Sequence, residues 1–209
     1  MADLKENVGV KMVRKDLENL PQFALPFGYS FRAYRDGDEE HWLRIQRAAD
    51  RFNKITPAWF DQEFGPDRGP LAERQFYILN PRRTPVGTGT AWLSDDCPEH
   101  WPGKIHWLAI LPEYQGRGLG KALLTLICNR LRELAHHGAY LLTSSARVIA
   151  IRLYSSFGFL PLIRNADEAS AWKEFPLPLV LQSESLSSLL APDPERYFPN
   201  SPKNVEAFS

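Results

Sequence analysis

Three glycines at alternate positions, Gly116, Gly118 and Gly120, lie in Gln115-Gly116-Arg117-Gly118-Leu119-Gly120-Lys121, between an apolar β-like run and the clearest helical pattern of the chain. Glycine lets a backbone come close to a ligand and take up positive φ. A helix N-terminus adds unpaired N–H groups and a partial positive charge. With Arg117 and Lys121 contributing formal charge, the segment is built to cradle a phosphate. Two familiar phosphate loops do not fit. A Walker A loop needs a hydroxyl after Gly120-Lys121, where Ala122 stands, and a glycine where Gln115 stands. A dinucleotide fingerprint would need its third glycine at Lys121 or Leu123. His136-His137 has no acidic or cysteine partner nearby in sequence, so it reads as a helix terminus, and no metal site is expected.

Gln115 to Gly120 is similar to the Gln/Arg-x-x-Gly-x-Gly/Ala loop of the GCN5-related N-acetyltransferase (GNAT) superfamily and matches it at every specified position. The preceding Leu108-Ala109-Ile110-Leu111-Pro112 looks like the family's strand on the pyrophosphate side. Ala150-Ile151-Arg152-Leu153-Tyr154-Ser155-Ser156-Phe157-Gly158-Phe159 resembles its Ala-x-x-Leu-Tyr-x-x-x-Gly-Phe block. The likeness covers about residues 29–175, with the specific motifs between 104 and 160. Many members carry asparagine three residues before that alanine; here Arg147 stands, which puts one hydrogen bond to the pantetheine arm in question.

The resemblance implies acetyl-CoA as donor and direct transfer to an amine in a ternary complex. It implies that Gln115, Gly116, Arg117, Gly118, Leu119, Gly120 and Lys121 hold the pyrophosphate. A backbone N–H within Leu108, Ala109 and Ile110 would bond the thioester carbonyl, where a fixed donor in a dry site is worth several kcal/mol. Tyr154 matches the family tyrosine, which contacts the cofactor and protonates the leaving thiolate. An alkyl amine with a pKa near 10.4 is only about one part in a thousand neutral at pH 7, a penalty of about 4 kcal/mol, so a base is useful. His106 is the candidate, placed by period-two counting on the same face as Leu108 and Ile110. Flanked by Ile105 and Trp107, it reads equally well as a core histidine, and many members rely on water chains instead.

In this fold the acceptor pocket lies between the first two helices and the late strands. Phe52, Asn53, Trp59, Phe60, Trp92 and Trp107 are its candidate lining, and Thr143 and Ser144 face the strand split on one reading and form a plain strand end on the other. Such a pocket suits a small-molecule or peptide amine with apolar or aromatic character. Two alternatives stand beside a small amine: a protein N-terminus or lysine as acceptor, and a non-catalytic acyl-CoA-binding sensor module.

The elements that must position these residues follow from periodicity. Tyr29–Tyr34 alternates as a strand; Asp36-Gly37-Asp38 is a turn able to cap a helix carrying Trp42, Ile45, Ala49 and Phe52. Thr56-Pro57 starts a short helix to about Phe64. Gln75–Leu79 and Val86–Leu93 form a hairpin, and Lys104–Leu111, apolar on both faces, is an interior strand. Gly118–His137 is a helix with Gly138 as its C-terminal cap, followed by a strand at Tyr140–Thr143, a helix at Val148–Phe157, a strand at Phe159–Ile163 and a further strand at Ala171–Phe175. The expected architecture is α/β (α+β), with a mixed sheet of about six or seven strands flanked by helices on both faces. Residues 1–28 read as an N-terminal arm with a short helix near 12–20, residues 29–175 as the acetyltransferase domain, and residues 176–209 as a proline-rich extension.

Composition sets the outer limits. The 209 residues carry 25 Lys plus Arg against 25 Asp plus Glu, a formal charge of zero with no footprint for nucleic acid or an anionic membrane. Hydrophobic residues make up 44%, which places the chain in the globular range. Two cysteines build no disulfide framework, and no apolar run reaches the ~20 residues of a membrane span or resembles a signal peptide. These features point to a cytoplasmic protein, with a homodimer left open.

Overall fold

The computed structural model describes residues 7–93 and 103–163, together with Ser170 and Trp172. Its elements run β1 (Gly9–Arg14), β2 (Ser30–Ala33), α1 (Glu39–Ala49), α2 (Trp59–Phe64), α3 (Leu71–Arg74), β3 (Gln75–Leu79), β4 (Pro85–Trp92), β5 (Gly103–Ile110), a 3-10 turn (Pro112–Tyr114), α4 (Leu119–Glu133), β6 (Ala139–Ser144), α5 (Val148–Ser155) and β7 (Leu160–Pro161). Seven strands form one sheet in the order β2-β3-β4-β5-β6-β1-β7. Among the described residues only β5 and β6 pair in parallel, because α4 returns the chain between them; the other ladders are antiparallel. The sheet is therefore mixed, and its seven strands agree with the six or seven expected, although β1 is not among those read from the sequence.

Two layers of helix cover it. A Cβ built at Gly89 of β4 would touch Leu123 and Ile127 of α4, so that face belongs to α4. Thr88 and Thr90, its neighbours along the strand, turn to the opposite face, where α1 and α2 lie. α1 drives Trp42, Ile45 and Gln46 inward, and α2 contributes Phe60 and Phe64. α4 buries a stripe that includes Leu119, Leu123, Ile127 and Leu131.

The N-terminal residues depart most from expectation. Instead of an arm with a helix near 12–20, Gly9–Arg14 is a strand between β6 and β7, paired from Gly9↔Ser144 to Arg14↔Ala139. Val10, Met12 and Val13 are buried there. Residues 15–28 then strap across α4: the Leu17 N–H donates to the His137 carbonyl, the Phe23 N–H donates to Thr125 Oγ1, and the Phe23 ring packs on Phe157. Gly138 is not the helix cap. α4 ends at Glu133, Ala135 takes the positive φ of 62°, and Gly138 is required because a Cβ would lie 2.8 Å from the carbonyl oxygens of Arg14 and Lys15. Asp38 makes no side-chain cap for α1; its carboxylate receives Arg32 and the Arg35 N–H instead. The strand expected at 171–175 lies outside the described residues except for Trp172, which is helical and buried.

Candidate active site

Two breaks in the sheet define the site. The first is a bulge in β5. Thr88 pairs with Ala109 while Thr90 pairs with His106, so three steps on β5 match two on β4. Trp107 absorbs the extra residue at φ 49°, a left-handed conformation that is uncommon for a bulky side chain. Its carbonyl accepts a 2.7 Å hydrogen bond from Nε2 of the buried Gln46 on α1, which pins the bulge. This corrects the period-two count. His106 shares its face with Ala109, toward α1 and α2, and not with Leu108 and Ile110, because the bulge shifts the alternation by one residue.

The second break is a gap between parallel strands. The β5–β6 ladder stops at Ile105↔Leu141, although β5 continues to Ile110 and β6 to Ser144. Beyond the stop, β5 pairs among the described residues only with β4. Since the Leu111 N–H donates to the Val86 carbonyl, alternation turns the polar groups of Ile110 away from β4, into the gap. Gln115 Nε2 takes the Ile110 carbonyl at 2.9 Å, so this glutamine braces the loop against the strand.

The glycine loop closes the end of the gap. Gly116 and Gly118 adopt φ of 75° and 81°, and Gly118 is the N-cap of α4. No atom stands within 4 Å of a Cβ at either position, so conformation rather than crowding requires glycine there. Gly120 is helical and faces Leu153 at ordinary contact distance. The first turn of the fifteen-residue helix α4 carries no acidic side chain, and the two left-handed glycines before it stand in open space. Arg117 reaches back to the Glu113 carbonyl and Tyr29 and lies over Tyr114, while the Lys121 ammonium sits 4.9 Å from the centre of the Phe23 ring. The open gap, the left-handed glycines and the amide cluster fit a long thioester with a pyrophosphate group.

Tyr154 is buried on α5, its ring edge-on to Phe159. Burial pushes its pKa up to about 12, with the charge of Arg147 working the other way. It keeps its proton at physiological pH, and among the described residues its hydroxyl has no hydrogen-bond partner.

His106 is 8% exposed, edge-on to Phe64 and beside Trp107. Burial drives its pKa down, against the raising effect of Glu63, so it is neutral and able to accept a proton at pH 7. Nε2 lies 3.1 Å from Glu63 Oε2 on α2. For Glu63, burial raises the carboxyl pKa, but His106 and the Trp107 indole outweigh it and hold the group below the usual carboxylate range. Glu63 is a candidate group that sequence reading missed. The pair is 43 residues apart in number, and its only signal is that Glu63 precedes Phe64, the residue that packs on the histidine ring.

Trp59, Trp92 and Trp107 come together around this pair: Trp107 contacts Trp42 and Trp59, and Phe64 bridges Trp92 to His106. Phe60 is core, 1% exposed among Tyr34, Trp42 and Phe64. Asn53 is held apart. Its side chain donates to Asp50, which also receives both Arg147 contacts at 2.8 and 2.9 Å, and Arg147 donates to Ser144 at the end of β6. Arg147 thus ties α1 to the start of α5 across the mouth of the gap, with Phe52 under its guanidinium. Thr143, opposite Val10, is half-buried beside that tie.

Among the described residues, no group of three or more His, Cys, Asp or Glu could hold a metal ion, and no helix is long and apolar enough to cross a membrane.

Comparison with known proteins gives a consistent result. The profile of the acetyltransferase (GNAT) family matches residues 25–159. The mycothiol acetyltransferase of Mycobacterium ulcerans is 27% identical over 166 residues, covering 70% of this chain and 52% of its own length. That of Sanguibacter keddieii is 31% identical over 160 residues, covering 68% and 47%. The chain spans about half the length of the curated relatives it matches. Among solved structures, a GCN5-related N-acetyltransferase from Sphaerobacter thermophilus superposes with a TM-score of 0.60 at 20% identity, covering 74% of this chain and 48% of that one. An acetyltransferase of the GNAT family from Colwellia psychrerythraea gives 0.55 at 15%, covering 74% and 52%.

Proposed function

The chain belongs to the acetyltransferase (GNAT) family, and from that premise we propose that it transfers an acetyl group from acetyl-CoA to a primary amine by direct attack in a ternary complex. The observation that carries this reading is the β5–β6 gap, open from His106 onward and closed at one end by the left-handed glycine loop at the start of α4.

In this reading the backbone of Gly116 to Gly120 holds the pyrophosphate, with Arg117 and Lys121 able to swing from their present aromatic partners to add charge. The β5 backbone at Leu108, Ala109 and Ile110 lines the pantetheine arm, and N–H groups turned into the gap receive the charge that develops on the carbonyl oxygen. The acceptor enters from the α1–α2 side, past the packed Trp59–Trp107 pair. His106 takes one proton from the ammonium and passes it to solvent. The freed nitrogen lone pair forms the C–N bond as the C–S bond breaks. Tyr154 protonates the departing thiolate and recovers its proton from the nitrogen through water. The net products are an amide, a free thiol and one released proton.

Thermal unfolding with and without acetyl-CoA tests the donor site. Saturation at 100 times the dissociation constant adds about 2.7 kcal/mol, which raises Tm by several degrees. Thiol release over a panel of small amines and peptides, with the mycothiol-related acceptor named by the relatives among them, then identifies the acceptor class. Unchanged Tm at millimolar acetyl-CoA would refute the donor. A positive shift without thiol release from any amine would favour a sensor module.

A further inference from the structure

The acetyltransfer reading assigns His106 a task without saying what prepares it, and the answer lies in a residue from a different element. Glu63, in the last turn of α2, places Oε2 3.1 Å from His106 Nε2, and both groups sit against Phe64 and Trp107. A neutral imidazole carries its proton on one nitrogen, and a hydrogen bond to one nitrogen settles which. A carboxylate on Nε2 places the proton there and leaves the lone pair on Nδ1. The surroundings hold the ring in place: Thr90 lies opposite on β4, and the pinned bulge fixes the next residue.

We propose that Glu63 is a positioning residue that fixes the tautomer and orientation of His106, so that Nδ1 receives the proton of the acceptor ammonium. This rests on the acetyltransfer reading above. The carboxylate also sets a requirement on the acceptor. Glu63 is about a third exposed at the aromatic opening, so a protonated amine approaches a negative charge flanked by Trp59 and Trp107, whose faces attract cations as well. The site selects a primary ammonium on an apolar or aromatic body over an anionic acceptor.

The charged groups that act on His106 are Glu63 from α2 and Lys104 from its own strand; Thr90 from β4 and Gln46 from α1 are neutral. Glu63 raises the imidazole pKa, whereas burial, the larger effect, and Lys104 lower it. Glu63→Gln keeps an acceptor atom and removes the charge. The remaining influences then move the histidine pKa further down, so the acid limb of the kcat/KM profile shifts to lower pH. Loss of orientation lowers kcat about tenfold, while general-base removal in His106→Gln costs about 10²–10⁴ and abolishes the limb. A disturbed fold would not move an acid limb in a defined direction.

Two measurements on the full chain decide the matter. Long-range proton–nitrogen NMR of histidine-labelled protein, with His106 assigned by loss of its signals in His106→Gln, should show the proton on Nε2 at pH 7.5, needing no substrate. A proton on Nδ1, or an unchanged His106 titration in Glu63→Gln, overturns the proposal. Thiol release from an arylalkylamine and acetyl-CoA then separates the two layers. Turnover by the wild type with superimposable Glu63→Gln and wild-type profiles overturns the positioning role alone. No turnover by the wild type with any amine removes the acetyltransfer reading, and the catalytic duty of the pair with it.

Discussion

Tyr154 presents a hydroxyl with no hydrogen-bond partner among the described residues, at the end of a ring buried against Phe159. Tyr154→Phe removes only that oxygen, so thermal unfolding should stay within about 1 kcal/mol of wild type. If the phenol protonates the thiolate, kcat in the thiol-release assay should fall about 10²-fold or more; an unchanged kcat would reduce the residue to packing. Sequence alone singled out Tyr154 and His106, because both stand in or beside blocks with fixed spacing. It misplaced the face of His106, since a bulge leaves no trace in residue types until its register is known: Trp107 is an unlikely residue for positive φ. It missed Glu63 altogether, because contact between α2 and β5 is a tertiary fact with no local period. Asn53, a candidate acceptor contact, donates its amide to Asp50, a pairing that becomes meaningful only once Arg147 closes from the other side.

The elements tell a similar story with different causes. Strong periodicity made α4, α5 and the β3–β4 hairpin readable, and their observed bounds differ from expectation by a few residues. The β1 strand was hidden because Lys11, Arg14 and Lys15 dilute Val10, Met12 and Val13 within a short run, and strand pairing with distant β6 outweighs that local signal. Met12 is fully buried, so Met12→Ala should cost about 2–5 kcal/mol by chemical denaturation, whereas a loose arm would lose almost nothing. The glycine loop is less uniform than its motif. Gly118→Ala should lose about 1–2 kcal/mol through the left-handed conformation. Gly120→Ala, inside the first turn of α4 with room beside Leu153, should leave the ligand-free protein as stable or up to about 1 kcal/mol more stable. Equal losses at both sites would mean that the loop does not have this conformation. Gln46→Leu strips the donor from the Trp107 carbonyl; about 1–3 kcal/mol of stability should go with it, and kcat/KM should fall further than Tm alone explains.

At the scale of the molecule, acid should weaken the fold in two stages. His106 and His136 both have pKa values lowered by burial, so the unfolded chain binds their protons more readily; the stability this contributes is present above about 6.5 and is lost as pH falls below it. Asp38, Glu39, Asp50 and Glu63 are held below their ordinary values despite burial, through hydrogen bonds and neighbouring cations, so their contribution disappears only below about pH 4. Tm measured from pH 8 to 3 should decline in those two windows, and His136→Gln should flatten the first. A level Tm down to pH 5 would contradict the histidine contribution. One architectural feature also bears on how the chain reaches this state. β1 is made before its partners on β6 and β7, which follow about 130 residues or more later, so neither edge of the strand can be satisfied until most of the sheet exists. Val10, Met12 and Val13 must therefore wait as an uncovered apolar segment until β6 and β7 have been made. Insertion of β1 between β6 and β7 becomes a late closure of the sheet, and until that stage a holdase chaperone would have something to grip.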